Sequence, residues 1–177
     1  YCRGWCYEFA GDDRKAMDDY NAGIDIDKNY VSLYMMRGRL YRKQGNMELA
    51  KPDFEKVLEL DTIADGSSSR HYALLFLNKK DEAVAWMDKI IETDKDNNGS
   101  YYDKACLLSL MGKPQDAIAA LRVSLEKGYR SFIHIGRDSD LDSIRNLPEF
   151  IALIEEYKAK PKPVIEGLVS EARTGLV

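Results

Sequence analysis

Cysteine is scarce in this chain, with three in 177 residues, and so are histidine, with two, and proline, with five. Three thiols cannot build a disulfide framework. The number is odd, and Cys2 and Cys6 stand one helical turn apart, an awkward geometry for a bridge. Cys2, Cys6 and Cys106 are expected to be free buried thiols, since unoxidised cysteine packs as a small hydrophobe. His71 and His134 are isolated, too few for a zinc-type ligand set and without the Ser and Asp partners of a hydrolytic triad. No Gly-rich phosphate loop and no framed carboxylate pair is present, so neither catalysis nor a cofactor is expected. Basic residues do not prevail: 26 Lys and Arg stand against 30 Asp and Glu, for a net charge of −4. A nucleic-acid binder would need a dominant basic face. No apolar run approaches the roughly 20 residues of a membrane span, and no signal peptide is visible. The chain reads as soluble, with the cytoplasm favoured and export left open.

What is present is a 34-residue echo. Gly4 recurs as Gly38, Tyr7 as Tyr41, Gly11 as Gly45, Ala16 as Ala50 and Tyr20 as Phe54, each step being 34 residues. Ala83 to Ala117 and Met87 to Leu121 repeat the interval. A long period built from small and aromatic residues at fixed offsets marks a solenoid of helical hairpins.

Residues 31–64 form the cleanest unit. Tyr34, Gly38 and Tyr41 are spaced i, i+4, i+7 and share one face of a first helix. Gly45-Asn46 ends that helix. A second helix carries Ala50, Phe54, Val57 and Leu58 on one stripe and closes at Asp61-Thr62. Gly38 and Ala50 are small where the two backbones approach, and Tyr34, Tyr41 and Phe54 fill the space around them. Pro52 is expected in the first turn of the second helix, where a missing N–H costs little.

This pattern resembles the tetratricopeptide repeat, whose motif falls on Tyr34, Gly38, Tyr41, Gly45, Ala50, Phe54 and Val57. A first unit, starting in mid-helix, carries Gly4, Tyr7, Gly11, Ala16, Tyr20 and Gly23, with Gly23 read as a close-packing position. A fourth unit, about 98–131, carries Tyr101, Ala105, Leu108, Gly112, Ala117, Leu121 and Ser124, and Lys113-Pro114 opens its second helix. The third unit diverges. Ala83, Met87 and Ile90 fit, but His71 or Tyr72 falls where a small residue belongs, and Asn78-Lys79-Lys80 replaces the Gly turn. A shortened first helix is expected there, after a flexible connection at residues 65–69. The resemblance implies an all-α fold, a right-handed superhelical solenoid of antiparallel helix pairs with C-terminal capping helices. It covers residues 1–131 as four hairpins.

From Gly128 the register stops, and the segment resembles the one that closes many bacterial tetratricopeptide arrays. Asp138 or Ser139 can cap a short helix. Leu141, Ile144 and Leu147 are placed to cover the apolar end of the last repeat. A last helix at about 147–158 sets Phe150, Leu153, Ile154 and Tyr157 on one face, so that 132–158 form the cap. Residues 159–177 read as a Pro-rich linker followed by an amphipathic stripe that can dock on the array or on another copy. No matching cap precedes Tyr1, so more repeats are expected upstream of it.

Stacked repeats line a concave face with their first helices. The resemblance assigns to that face Trp5, Glu8 and Phe9 from the first unit. From the second it assigns Met35, Arg39, Arg42 and Lys43, of which Met35, Arg39 and Arg42 form one i, i+4, i+7 stripe. The third contributes Tyr72, Leu75 and Phe76, and the fourth Tyr102, Cys106 and Ser109. Aromatics flanking an arginine pair suit a peptide with acidic and apolar groups. Chaperone-tail recognition is not expected, because Tyr1, Trp5 and Arg39 stand where a carboxylate clamp wants Lys or Asn. Asp94, Asp96 and Asn98, ahead of Gly99, begin like a calcium loop, but the twelfth position is Ala105 rather than a bidentate Glu. An inter-repeat turn explains the same residues, and no metal is expected. The expected function is a non-catalytic module that binds a protein or peptide in the concave groove. The alternative is an assembly or spacer segment of a larger protein, making its contacts, self-association included, through the tail or the convex face.

Overall fold

The computed structural model describes residues 1–62 and 69–160. These form two units, Tyr1–Lys95 and a second beginning at Asp96, and among the described residues all regular structure is helical. The connection at 65–68 and the tail from 161 lie outside the described residues.

The first unit holds three helical hairpins: α1 (Cys2–Phe9) with α2 (Asp13–Ile26), α3 (Val31–Lys43) with α4 (Met47–Leu60), and α5 (Arg70–Phe76) with α6 (Lys80–Thr93). Each hairpin turns in the same way. Gly45 donates its N–H to the Arg42 carbonyl and Asn46 donates to Tyr41, at 2.9 Å each. This crossed pair satisfies carbonyls that the end of α3 leaves open, and it needs left-handed backbone at Gly45, where φ is +77°. Gly11 and Gly112 repeat the geometry. In the divergent hairpin Asn78 takes over at φ 63°, with the same bonds from Asn78 to Leu75 and from Lys79 to Leu74. Asparagine tolerates this region better than most residues. The turn therefore survives the loss of its glycine. The shortening falls on α5 instead, which has seven residues against thirteen in α3.

Packing inside a hairpin is small against large. A Cβ built on Gly38 would lie 2.7 Å from Phe54 Cε1, and one on Gly4 would lie 2.7 Å from Tyr20 Cε1. Ala16, Ala50 and Ala83 are fully buried on the facing helices. Gly23 makes the same close contact between hairpins, where a Cβ would meet Leu33 Cδ1 at 2.7 Å. Pro52 is displaced from its expected place. Asn46 caps α4 through Leu49 N–H, so the helix starts at Met47 and Pro52 falls in its second turn, on the exposed side.

A second periodic contact joins the hairpins. Arg3 forms a bidentate pair with Asp19 at 2.8 and 2.5 Å. One repeat later Arg37 does the same with Asp53, at 2.9 and 2.6 Å, and also donates to Asn21 of the preceding helix at 2.7 Å. In the third hairpin Arg70 lies 4.9 Å from the ring centre of Trp86 and donates to the carbonyls of Leu58 and Asp61. In the second and third hairpins, one arginine on the first helix thus ties its own hairpin shut and holds the hairpin before it.

The second unit pairs α7 (Asn98–Leu110) with α8 (Pro114–Glu126), then continues as α9 (Phe132–Arg137), a 3-10 turn (Ser139–Leu141) and α10 (Pro148–Ala159). Asn97 caps α7 by accepting from Gly99 and Ser100 N–H. Asp138 caps the 3-10 turn, accepting from Asp140 N–H at 3.0 Å. Leu141 and Ile144 are fully buried, as a closing segment requires, while Leu147 is half-buried at the start of α10. Arg145 staples this segment by donating to the Ile135 and Asp138 carbonyls at 2.9 and 2.5 Å. The segment lies on α7 through hydroxyls and a carboxylate. The Tyr102 hydroxyl donates to Asp138 at 2.7 Å, the Cys106 thiol sits 3.7 Å from the same oxygen, and Ser109 Oγ is 2.8 Å from Ser143 Oγ. Asp103 stands beside this cluster. Burial first, then the charges of Asp138 and Asp140, push its carboxyl up to about 7.

Gly38→Leu has no room at the Phe54 ring and should destabilise by about 1–3 kcal/mol in urea or thermal unfolding; unchanged stability would disprove the helix register. Asp103 is raised above its unfolded value of about 3.9, so its penalty is absent at acid pH and sets in as pH rises towards and through about 7. Asp103→Asn should therefore stabilise the protein at pH 8, on the order of 1 kcal/mol after allowing for solvent screening, and have little effect at pH 4. An equal effect at both pH values would contradict that origin.

Candidate functional site

The first helices of the Tyr1–Lys95 unit carry a surface of two chemistries. On α1, Trp5 and Phe9 are exposed, at 51% and 69%. Their i, i+4 spacing stacks the rings, with centroids 5.9 Å apart and planes 26° from parallel. On α5, Tyr72 and Phe76 have the same spacing and nearly the same stack, 6.1 Å and 25°. Both of these are half-buried. Between the two pairs in chain order comes α3 with its cations. The Arg39 guanidinium lies 5.4 Å from the Tyr72 centroid and 5.9 Å from that of Phe76, and Arg42 lies 4.2 Å from Phe76. Stacking on ring faces orients a guanidinium and lowers the entropy lost when it takes a carboxylate. Arg39 is also felt at Tyr1. Burial, then Tyr30, pushes that hydroxyl's pKa up, while Arg39 pulls it down. Tyr1 and Tyr30, 5.8 Å apart, extend the aromatic surface at this end.

Other sequence-assigned positions sit elsewhere. Met35 and Leu75 are core residues, turned into the hairpin packing. Glu8 accepts from the Tyr20 hydroxyl at 2.9 Å and so serves the first hairpin. Lys43 pairs with Asp13 of α2 at 2.9 Å. In the second unit Tyr102, Cys106 and Ser109 are buried beneath the chain's own closing segment. They hold the register of Met35, Arg39 and Arg42, which is the basis for expecting them to face a partner, but α9 and the turn after it occupy that face. Burial, and then Asp138, Asp140 and Asp103, raise the Cys106 thiol's pKa, so it stays protonated and unreactive.

Cys2 and Cys6 correct another expectation: both are free but exposed, and only Cys106 is buried. Of α1, Gly4 alone is buried, against α2, and the thiols lie off that face. The calcium-loop residues have structural uses. Asp94 follows the end of α6, Asp96 pairs with Lys127 at 2.9 Å, and Asn98 Nδ2 donates to the Lys127 carbonyl. Among the described residues no group of three or more His, Cys, Asp and Glu is disposed to hold a metal, and no helix is long and apolar enough to cross a membrane.

Sequence reasoning sets aromatics beside an arginine pair but misses the i, i+4 ring stacks and the placing of both arginines over Tyr72 and Phe76. The signal is available in two matching stretches, Trp5-x-x-x-Phe9 and Tyr72-x-x-x-Phe76, set 67 residues apart in the same repeat register.

Comparison with known proteins agrees with this architecture. Residues 31–62 match the tetratricopeptide repeat family model. Tetratricopeptide repeat protein 14 of Mus musculus is 30% identical over 113 residues, which is 63% of this chain and 14% of that protein. A chloroplastic protein of Arabidopsis thaliana is 27% identical over 82 residues, 45% of this chain and 24% of its own length. The chain thus spans a quarter or less of these relatives. A solved tetratricopeptide repeat protein from Parabacteroides merdae superposes with a TM-score of 0.57 at 19% identity, over 96% of this chain and 66% of that one. The matched repeat at residues 31–62, the recurring hairpin turns and the small-against-large packing together give this chain the tetratricopeptide-repeat fold.

Proposed function

We propose that residues 1–95 hold a protein partner on their first-helix face, through Trp5, Phe9, Arg39, Arg42, Tyr72 and Phe76. The tetratricopeptide fold points to a protein-interaction or scaffold role and is generally non-catalytic. The observation that carries the finer reading is the stacking of Arg39 and Arg42 on Tyr72 and Phe76, together with the exposed Trp5–Phe9 pair at the same repeat register on α1. Aromatic residues and arginine are the types that dominate binding energy at interfaces. Guanidinium groups set against ring faces suit the carboxylates of an acidic segment.

The test is affinity capture by the full chain beside the Arg39→Glu/Arg42→Glu form, with circular dichroism to show that both are folded. A partner held by the native chain should bind the charge-reversed form at least about tenfold more weakly, a loss of about 1.4 kcal/mol. Equal binding to both folded forms would remove these arginines from the site.

A further inference from the structure

The first helix of the fourth hairpin is covered by its own chain. Cys106 and Ser109 lie 67 residues after Arg39 and Arg42, in the same register on α7. The closing segment fills that face, and one carboxylate does most of the holding. Asp138 Oδ2 accepts from the Tyr102 hydroxyl at 2.7 Å and lies 3.7 Å from the Cys106 sulfur. His134 Nε2 stands 3.5 Å from the same oxygen, a contact that is an ion pair only while the imidazole is protonated. Ser143 completes the contact, with its Oγ 2.8 Å from Ser109 Oγ and 3.1 Å from the Ser109 carbonyl.

This contact gathers carboxylates. Asp103 on α7 feels the charges of Asp138 and Asp140 across it, and Asp140 is itself buried. Tyr102, Lys104 and Cys106 adjoin Asp103 on α7. From the elements packed on α7 come Tyr129, stacked on Tyr102 at 4.5 Å, and His134, whose ring is 5.4 Å from Tyr102. Arg145 of the closing segment is bonded to the Ile135 and Asp138 carbonyls and to Asp142 instead of Asp103. Like charges that share a buried contact ionise at a cost. Burial and those two aspartates push the Asp103 carboxyl up to about 7. The closed contact is therefore at full strength while Asp103 is protonated, and it weakens as pH rises towards and through about 7.

We propose that residues 132–145 act as a pH-controlled plug on α7. Protonated Asp103 keeps the plug closed, and its ionisation lets the plug open and frees the face of Tyr102, Cys106 and Ser109. Ile135, Leu141 and Ile144 are buried and anchor the segment, so the open form stays a minor population that pH scales. This inference concerns the second unit and does not depend on the partner reading of residues 1–95.

The test alkylates the full chain with N-ethylmaleimide at pH 6 and pH 8 and follows each cysteine by peptide mass spectrometry. Cys2 and Cys6 are exposed and serve as internal references, which cancels the ordinary rise of thiol reactivity with pH. The rate at Cys106 relative to them should rise about fivefold from pH 6 to pH 8, within the roughly tenfold that the Asp103 shift allows. Asp103→Asn should hold that ratio flat, while His134→Gln should keep the rise. A rise that persists in Asp103→Asn, or that disappears in His134→Gln, would overturn Asp103 as the gate. Hydrogen exchange of the native chain separates local opening from unfolding. Amides of 132–145 should be at least about tenfold less protected than those of α8 at both pH values. Equal protection of the two, or a Cys106 ratio that ignores pH in the native chain, would overturn the plug.

Discussion

The contact between a residue without a side chain and a ring on the facing helix is what the rest of this structure depends on. At Gly38 and Phe54, and at Gly4 and Tyr20, the ring fills the space a Cβ would take. This draws the two helices of a hairpin close enough for one arginine to reach across. Arg37 can then hold the nearly buried Asp53 and still touch Asn21 on the preceding helix. Packing sets the distance, and the ion pair sets the rotation. Leaving either partner of such a buried pair alone is costly, so the arrangement specifies its own register. Once the register is set, the side of each first helix that adjoins this packed face can vary, and that is where the aromatic and cationic residues lie.

The third hairpin shows how far the scheme can bend. Its small residue is replaced by His71, which is buried, and the register sets it against the pliable Met87 rather than a ring. Its ion pair is replaced by Arg70 over Trp86. Its turn glycine is replaced by Asn78 in the same backbone conformation. Each substitution keeps the physical role and changes the chemistry. The short α5 is what remains visible of the divergence, and it still delivers Tyr72 and Phe76 to the surface.

Much of this is legible in the sequence. The 34-residue spacing identifies the hairpins, the turn residues and the small-against-large contacts, because those depend on residue size at fixed helical offsets. Proline at 114 and the Asp138 cap are equally readable, since both act locally. What cannot be read is which residues of the closing segment lie on α7. Tyr102, Cys106 and Ser109 hold the register of a binding face, and only the path of residues 132–145 shows that face to be filled. The exposure of Cys2 and Cys6 is hidden for a related reason. Periodicity says which positions are small or apolar, not whether a neighbour covers them. The Arg3, Arg37 and Arg70 series is legible but easily missed, because its partners change from Asp19 and Asp53 to Trp86.

Partner contact on the first helices of residues 1–95 is the central claim, and hydroxyl-radical footprinting reads it side chain by side chain. The full chain is compared alone and with a captured partner. Reduced oxidation is expected at Trp5, Phe9, Tyr72 and Phe76 in the complex, with Trp86 on α6 unchanged. Protection of Trp86 with Trp5 and Phe9 still fully reactive would place the contact on the second helices and contradict the claim.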